Sequence, residues 1–114
     1  MSVERPQALD EWEFAFDVTA PEPIPFEAID ALMDAIILWA ESNDLGVGGS
    51  FSPVGSPSND SARRWRFCFG LCVSRDDDLI PREAAGDLID VIAGRCRDAG
   101  WRLDGGFRPF EFDP

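Results

Sequence analysis

The sequence predicts an α+β domain of order βαββαβ, one antiparallel sheet with two helices on one face. Three observations carry that prediction. The first is an internal repeat. Trp12-Glu-Phe14-Ala-Phe16 returns as Trp65-Arg-Phe67-Cys-Phe69, a shift of 53. Ile24-Pro25-Phe-Glu27-Ala28 and the eight residues after it return from Ile80-Pro81-Arg-Glu83-Ala84 onward, a shift of 56. Seven of those thirteen positions are identical, where average residue usage gives about one. Gly49-Ser-Phe51-Ser-Pro53 returns as Gly105-Gly-Phe107-Arg-Pro109 at the same shift. The second observation is strict apolar alternation in the aromatic segments, the mark of half-buried strands. The third is a helical apolar stripe after each Ile-Pro pair. The repeat makes residues 1–114 a single domain, with a first half at 12–53 and a second at 65–112.

Residues 1–10 are polar and read as a flexible lead-in. Trp12, Phe14, Phe16 and Val18 then alternate with Glu11, Glu13, Ala15 and Asp17, so the first strand has one apolar face, and its carboxylates are expected in water. Pro21 and Pro23 are expected to stop it. Pro25 suits a helix start, and Glu27 favours the positive helix end. Phe26, Ile29, Leu32, Met33, Ile36, Ile37 and Ala40 form the inner stripe. Glu27, Asp30, Asp34 and Glu41 lie opposite it, and Ser42-Asn43-Asp44 ends the helix.

Leu45 to Ser52 reads as a Gly-rich second strand, with Leu45, Val47, Gly49 and Phe51 on one side. Residues 53–61 form a Pro- and Ser-rich hairpin tip. In the third strand Trp65, Phe67, Phe69, Leu71 and Val73 face one way. Asp76-Asp77-Asp78 leads into a second helix, which Pro81 starts, Ala85, Leu88, Ile89, Ile92 and Cys96 line, and Gly100 caps. Trp101 to Phe107 is the last strand, and Pro109 interrupts the chain before Phe110 and Phe112. This order, with right-handed crossovers, is the ferredoxin-like split-βαβ arrangement. The repeat predicts a pseudo-two-fold axis between the halves. The two W-x-F-x-F strands should be central, and the Gly- and Pro-containing strands should be the edges.

Composition narrows the function. The chain carries 22 acidic residues against 10 arginines, a net charge of −12, with no His, Lys or Tyr. Lack of His removes the commonest general base and metal ligand. The acidic balance repels nucleic acid and anionic membranes and favours basic protein partners. No apolar run is long enough to span a bilayer, the first residues show no secretory segment, and Cys68 and Cys72 lie too far apart along one strand to bridge. A cytoplasmic address with free thiols is the expectation.

No motif points to chemistry. Gly46-Val-Gly48-Gly49 follows a helix instead of preceding one, so it is no phosphate cradle, and its glycines are expected to serve a tight turn and a close backbone approach. Asp76-Asp77-Asp78 lacks the alternating ligands of a calcium loop. Arg63, Arg64 and Arg66 flank an inward Trp65 and are expected to pair with carboxylates. No catalytic residue, metal ligand or cofactor site is expected.

The outer sheet face is the candidate site. Ala15, Cys68, Gly70, Cys72, Gly46, Gly48 and Ser50 would line it, and Phe110 and Phe112 join if strand parity continues past Pro109. Small side chains with a few exposed aromatics suit a partner or dimer face; the alternative is a bare solvated face.

The segment Glu41-Ser-Asn-Asp-Leu45-Gly-Val-Gly48-Gly49 resembles the YggL family of small bacterial proteins, in which the first helix runs into a Glu-polar-polar-Leu segment and a Gly pair. The order of elements agrees from about Trp12 to Phe112. The resemblance implies association with the large ribosomal subunit. The expected function is a non-catalytic interaction module, ribosome-associated through basic ribosomal proteins, without direct DNA or membrane binding and with homodimerisation open. The second reading is an acidic inhibitor or immunity-type protein that masks a basic surface. The third, a small enzyme or ligand binder, needs polar groups on the inner faces, where the pattern is apolar.

Overall fold

The computed structural model describes residues 8–55, 60–75 and 78–109. The chain runs β1 (Ala8–Leu9), β2 (Glu11–Pro25), α1 (Phe26–Ser42), β3 (Leu45–Pro53), β4 (Ser61–Val73), β5 (Ile80–Pro81), α2 (Arg82–Ala99) and β6 (Arg102–Pro109). Four strands form one antiparallel sheet in the order β3-β4-β2-β6. The architecture is α+β, with the long elements in βαββαβ order. The aromatic strands β2 and β4 are the central neighbours, and the Gly-containing β3 and β6 are the edges.

Register follows from the aromatic alternation. Phe14 lies opposite Phe69 and Phe16 opposite Phe67, and both ring pairs stack with centroids 4.9 Å apart. The edges supply Phe107 opposite Phe14 and Phe51 opposite Phe67. With Trp12 and Trp65, these rings share one hydrophobic cluster with Ile29, Leu32, Met33, Ile36 and Ala40 of α1 and Ala85, Leu88, Ile92 and Cys96 of α2. The strand period of two and the helix period of 3.6 therefore bury their apolar sides against each other. Phe26 departs from the expected inner stripe. It is 43 % exposed at the first helical position and packs sideways on Phe51 and Trp65, at 5.6 and 6.2 Å between centroids.

Features of the repeat recur in pairs. The Trp12 indole Nε1–H donates to the Ile80 carbonyl at 2.8 Å, and the Trp65 Nε1–H donates to the Ile24 carbonyl at 3.0 Å. Each tryptophan thus ties its strand to the Ile-Pro step of the other half. Pro25 and Pro81 are the N-caps, both with φ −69° and ψ 151°. Neither helix has a side-chain cap, and Glu27 and Glu83 place a carboxylate in each first turn. Gly49 and Gly105 hold φ of 155° and 124° on the edge strands. A Cβ on Gly105 would lie 2.5 Å from the Ala15 carbonyl oxygen and 2.7 Å from the Phe16 Cα, and one on Gly49 would collide with the same atoms of Cys68 and Phe69. Both edges therefore approach the central strands more closely than any side chain allows.

Three expectations are corrected. Pro21 and Pro23 do not end β2. Lacking the amide hydrogen, they break the ladder between Thr19 and Ile24, but their fixed φ keeps the chain extended, and Ile24 rejoins opposite Ala62. The lead-in is not wholly free. Ala8–Leu9 pairs antiparallel with Ile80–Pro81, with Leu9 opposite Ile80 and packed on the core, whereas residues 1–7 lie outside the described residues. A two-residue strand is too short to show periodicity. The Gly46 to Gly49 run is strand and not a tight turn.

The helix ends agree with expectation. Asn43 Nδ2 and Ser42 Oγ donate to the Trp39 and Leu38 carbonyls, each at 2.8 Å, filling last-turn acceptors. Gly100 caps α2 with φ 79°. No helix among the described residues is long and apolar enough to cross a membrane.

Candidate interaction surfaces

The outer sheet face follows from strand parity. Ser50, Cys68, Ala15 and Gly106 form its middle row across β3, β4, β2 and β6. Gly48, Gly70, Glu13 and Arg108 form the row on one side, and Ser52, Arg66, Asp17 and Asp104 the row on the other. Ala15 and Cys68 are exposed, and Gly70 and Cys72 are half-buried. These four candidates share the face, as expected. Phe110 and Phe112 lie outside the described residues.

Asp17 breaks the expectation of solvated strand carboxylates. It is only 8 % exposed. Its Oδ2 accepts from Arg64 Nε at 2.8 Å, and its Oδ1 accepts from Arg66 Nε at 3.0 Å. The expected arginine–carboxylate pairing is thus found for two of the three arginines, and Arg63 is exposed. Hydrogen bonding from Arg66 outweighs the opposing effect of burial, and with Arg64 it holds the Asp17 carboxyl below its ordinary 3.8. Arg66 is shifted upward by the same bond. A depressed folded pKa contributes stability above the unfolded value and loses it as pH falls through the folded one. Asp17→Asn is therefore expected to lower stability by about 1–2 kcal/mol near neutrality, a figure discounted for the half-exposed arginines. That gap should narrow below about pH 4. Urea unfolding of both proteins at neutral and acid pH checks this. Elsewhere on the face Arg108 pairs with Glu13 at 3.1 Å and Arg102 with Asp104 at 3.3 Å.

All three thiols are free. Burial, then the neighbouring Glu11 charge, pushes Cys72 up, and burial pushes the core Cys96 to about 11. Neither has the lowered pKa of a nucleophile. No metal-holding cluster of His, Cys, Asp and Glu occurs among the described residues. An open cleft of about 290 Å³ runs between Ala20–Pro25 and Ala99–Trp101, with Glu22 its one titratable side chain.

The helical layer presents a different surface. Glu27, Asp30, Asp34 and Glu41 are all exposed. Their spacing of three, seven and fourteen places them along one stripe of α1, and α1 contains no basic residue. Leu38 falls in the same stripe and is 62 % exposed. It forms, with Ala31, Ala35, Trp39 and Val91, the wall of an open groove of about 410 Å³ whose polar members are Asp34 and Arg95. Sequence reasoning placed the acids and missed the groove. The available signal was Leu38, an apolar residue eleven positions after Glu27 and so on the acidic side.

The segment from Glu41 to Gly49 does not converge on a site. Glu41 is exposed at the helix end, and Leu45 is half-buried at the start of β3. Gly48 has no atom within 4 Å of a Cβ position, whereas Gly49 is pressed on β4 from the opposite side of the strand. Asp76 and Asp77 lie outside the described residues, and Asp78 is exposed. No protein-family model matches this sequence, and no curated protein matches it.

Proposed function

We propose that this chain is a non-catalytic, cytoplasmic interaction module that engages a basic protein surface through the acidic stripe and apolar groove of α1. The observation that carries this reading is an exposed Leu38 one turn from both Asp34 and Glu41, on a helix with no basic residue. An apolar anchor on a helix whose charges are all of one sign suits a partner of opposite charge, and Arg95 of α2 is the one cation lining the groove. The scaffold is taken as ferredoxin-like, a duplicated β-α-β unit about a pseudo-two-fold axis. The strand order, the reciprocal tryptophan bonds and the paired edge glycines support it. A rigid sheet under two helices holds the α1 stripe in place.

The YggL resemblance nominates basic proteins of the large ribosomal subunit as the partner. The charge alone supports the second reading, an acidic inhibitor or immunity-type protein. Co-sedimentation separates them. The ribosomal reading expects the protein to pellet with large subunits at low salt and to leave them at moderate salt, since exposed charge pairs are screened within about 10 Å at 0.1 M. Asp30→Lys/Asp34→Lys should abolish pelleting. Protein that stays in the soluble fraction at low salt removes the ribosomal partner, and capture of one basic protein from native lysate then supports the inhibitor reading. Binding indifferent to both salt and the double substitution defeats the acidic-stripe reading itself.

A further inference from the structure

We propose that the outer face of the sheet is a self-association surface, and that its occupant is a second copy of this chain. The inference stands apart from the partner of α1 and uses the opposite side of the fold.

The argument begins with where the charge is. Glu11, Glu13, Asp17 and Asp104 lie on the outer sheet face by register. Arg64, Arg66, Arg102 and Arg108 lie there too. Four acids and four arginines balance, so the net charge of −12 resides on the remainder of the chain. Two copies meeting through the helical layer bring carboxylates together, and like charges across an interface are strongly unfavourable. Two copies meeting through this face do not.

The charges on the face are also sorted by end. Arg64, Arg66 and Arg102 lie on one side of the middle row, where Asp17 and Asp104 leave one positive charge in excess. Glu11 and Glu13 lie on the other side, where Arg108 leaves one negative charge in excess. A two-fold axis lying between the faces and perpendicular to the strands turns one end onto the other. Each strand then lies over its own copy, so Asp104 of one copy comes over Arg108 of the second, and arginines 64 and 66 come over β4 beside the strand that carries glutamates 11 and 13. An isologous contact of this kind closes at two copies.

The middle of the face permits the approach. Its middle row offers Ser50, Cys68, Ala15 and Gly106, none longer than a thiol or hydroxyl. At about 4.8 Å per strand and about 3.3 Å per residue, the face spans roughly 19 by 30 Å. Two such faces bury on the order of 1,100 Å², near the lower bound of specific interfaces. The dimer is therefore weak and concentration-dependent. The axis passes through the middle row and so brings Cys68 over its own copy.

Sedimentation equilibrium from about 5 µM to about 500 µM, a range that brackets micromolar affinity, is the test. The apparent mass should rise from one chain to two. A short bismaleimide should join the copies through Cys68, with the product lost in Cys68→Ser and kept in Cys72→Ser. Ala15→Glu should hold the protein at one chain over the whole range with an unchanged circular dichroism spectrum. Gly106→Glu, at a site with no atom within 4 Å of a Cβ position, is the second blocking variant should Ala15→Glu fold poorly. Leu38→Asp, on the helical layer, should dimerise as the parent does. A one-chain mass at every concentration overturns the proposal, as does dimerisation that survives a folded blocking variant.

Discussion

Gly105→Ala and Gly49→Ala are each expected to lower the unfolding free energy by about 3 kcal/mol or more, among the largest effects of any single methyl added to this chain. The added carbon on Gly105 meets the Ala15 carbonyl oxygen at 2.5 Å and the Phe16 Cα at 2.7 Å, and on Gly49 the corresponding atoms of β4 are closer still. These are backbone atoms of the central strands, which cannot swing aside as a flexible side chain would. Both glycines also hold positive φ, where a Cβ adds strain of its own. The only relief is for an edge strand to lift, which uncovers Phe16 or Phe69 and breaks ladder bonds. Gly48→Ala and Gly106→Ala are the controls. They sit on the open face with no atom within 4 Å of the new carbon, and should be neutral or stabilising by about 0.5 kcal/mol, because alanine restricts the unfolded chain. Urea unfolding of the four variants separates the cases. Similar midpoints for all four would show that the edges do not press on the centre.

Trp12→Ala and Trp65→Ala are expected to cost about 3–5 kcal/mol each. Both indoles are fully buried. With a total stability of about 5–15 kcal/mol for a domain of this kind, either change removes a large share of it. Phenylalanine at the same positions tests the hydrogen bond. It keeps most of the apolar volume and leaves the Ile80 or Ile24 carbonyl without its indole donor, at about 1–3 kcal/mol. The two bonds are reciprocal, each joining one half's first strand to the other half's helix entry. The two Phe variants should therefore lose similar amounts. A Phe variant with the parent midpoint would show that the indole N–H contributes nothing beyond volume.

The elements were legible because each has a periodic signature longer than one turn. Trp12 to Val18 and Trp65 to Val73 alternate without a fault, and the α1 and α2 stripes keep the helical period. The aromatic faces of two strands, and the Gly and Pro of the other two, then mark which strands are central. Legibility failed where a signature is short or interrupted. Ala8–Leu9 is too brief for any period. Pro21 and Pro23 do break pairing, yet an extended strand continues through them, because proline disfavours a ladder bond and not an extended backbone. Phe26 satisfies the helical period but begins the helix, where no preceding turn flanks it. The candidate face was read from parity, and its small residues lie where parity put them. Spacing alone puts Leu38 on the acidic side of α1, but its groove exists only once Val91 and Arg95 of α2 are placed beside it.

Side-chain direction along a strand or helix is a local property of the backbone, so the residue string alone settles which side each residue takes. Asp17 shows what lies beyond that. Its alternation assigns it correctly to the outer face, yet its burial and lowered pKa come from Arg64 and Arg66, which are 47 and 49 residues distant in the chain. Only the register of β2 on β4 brings those guanidiniums within 3.0 Å. The balance of charge on the sheet and its excess elsewhere arise in the same way. Coulombic energy depends on separation in space, and it is pairing between distant strands that sets those separations.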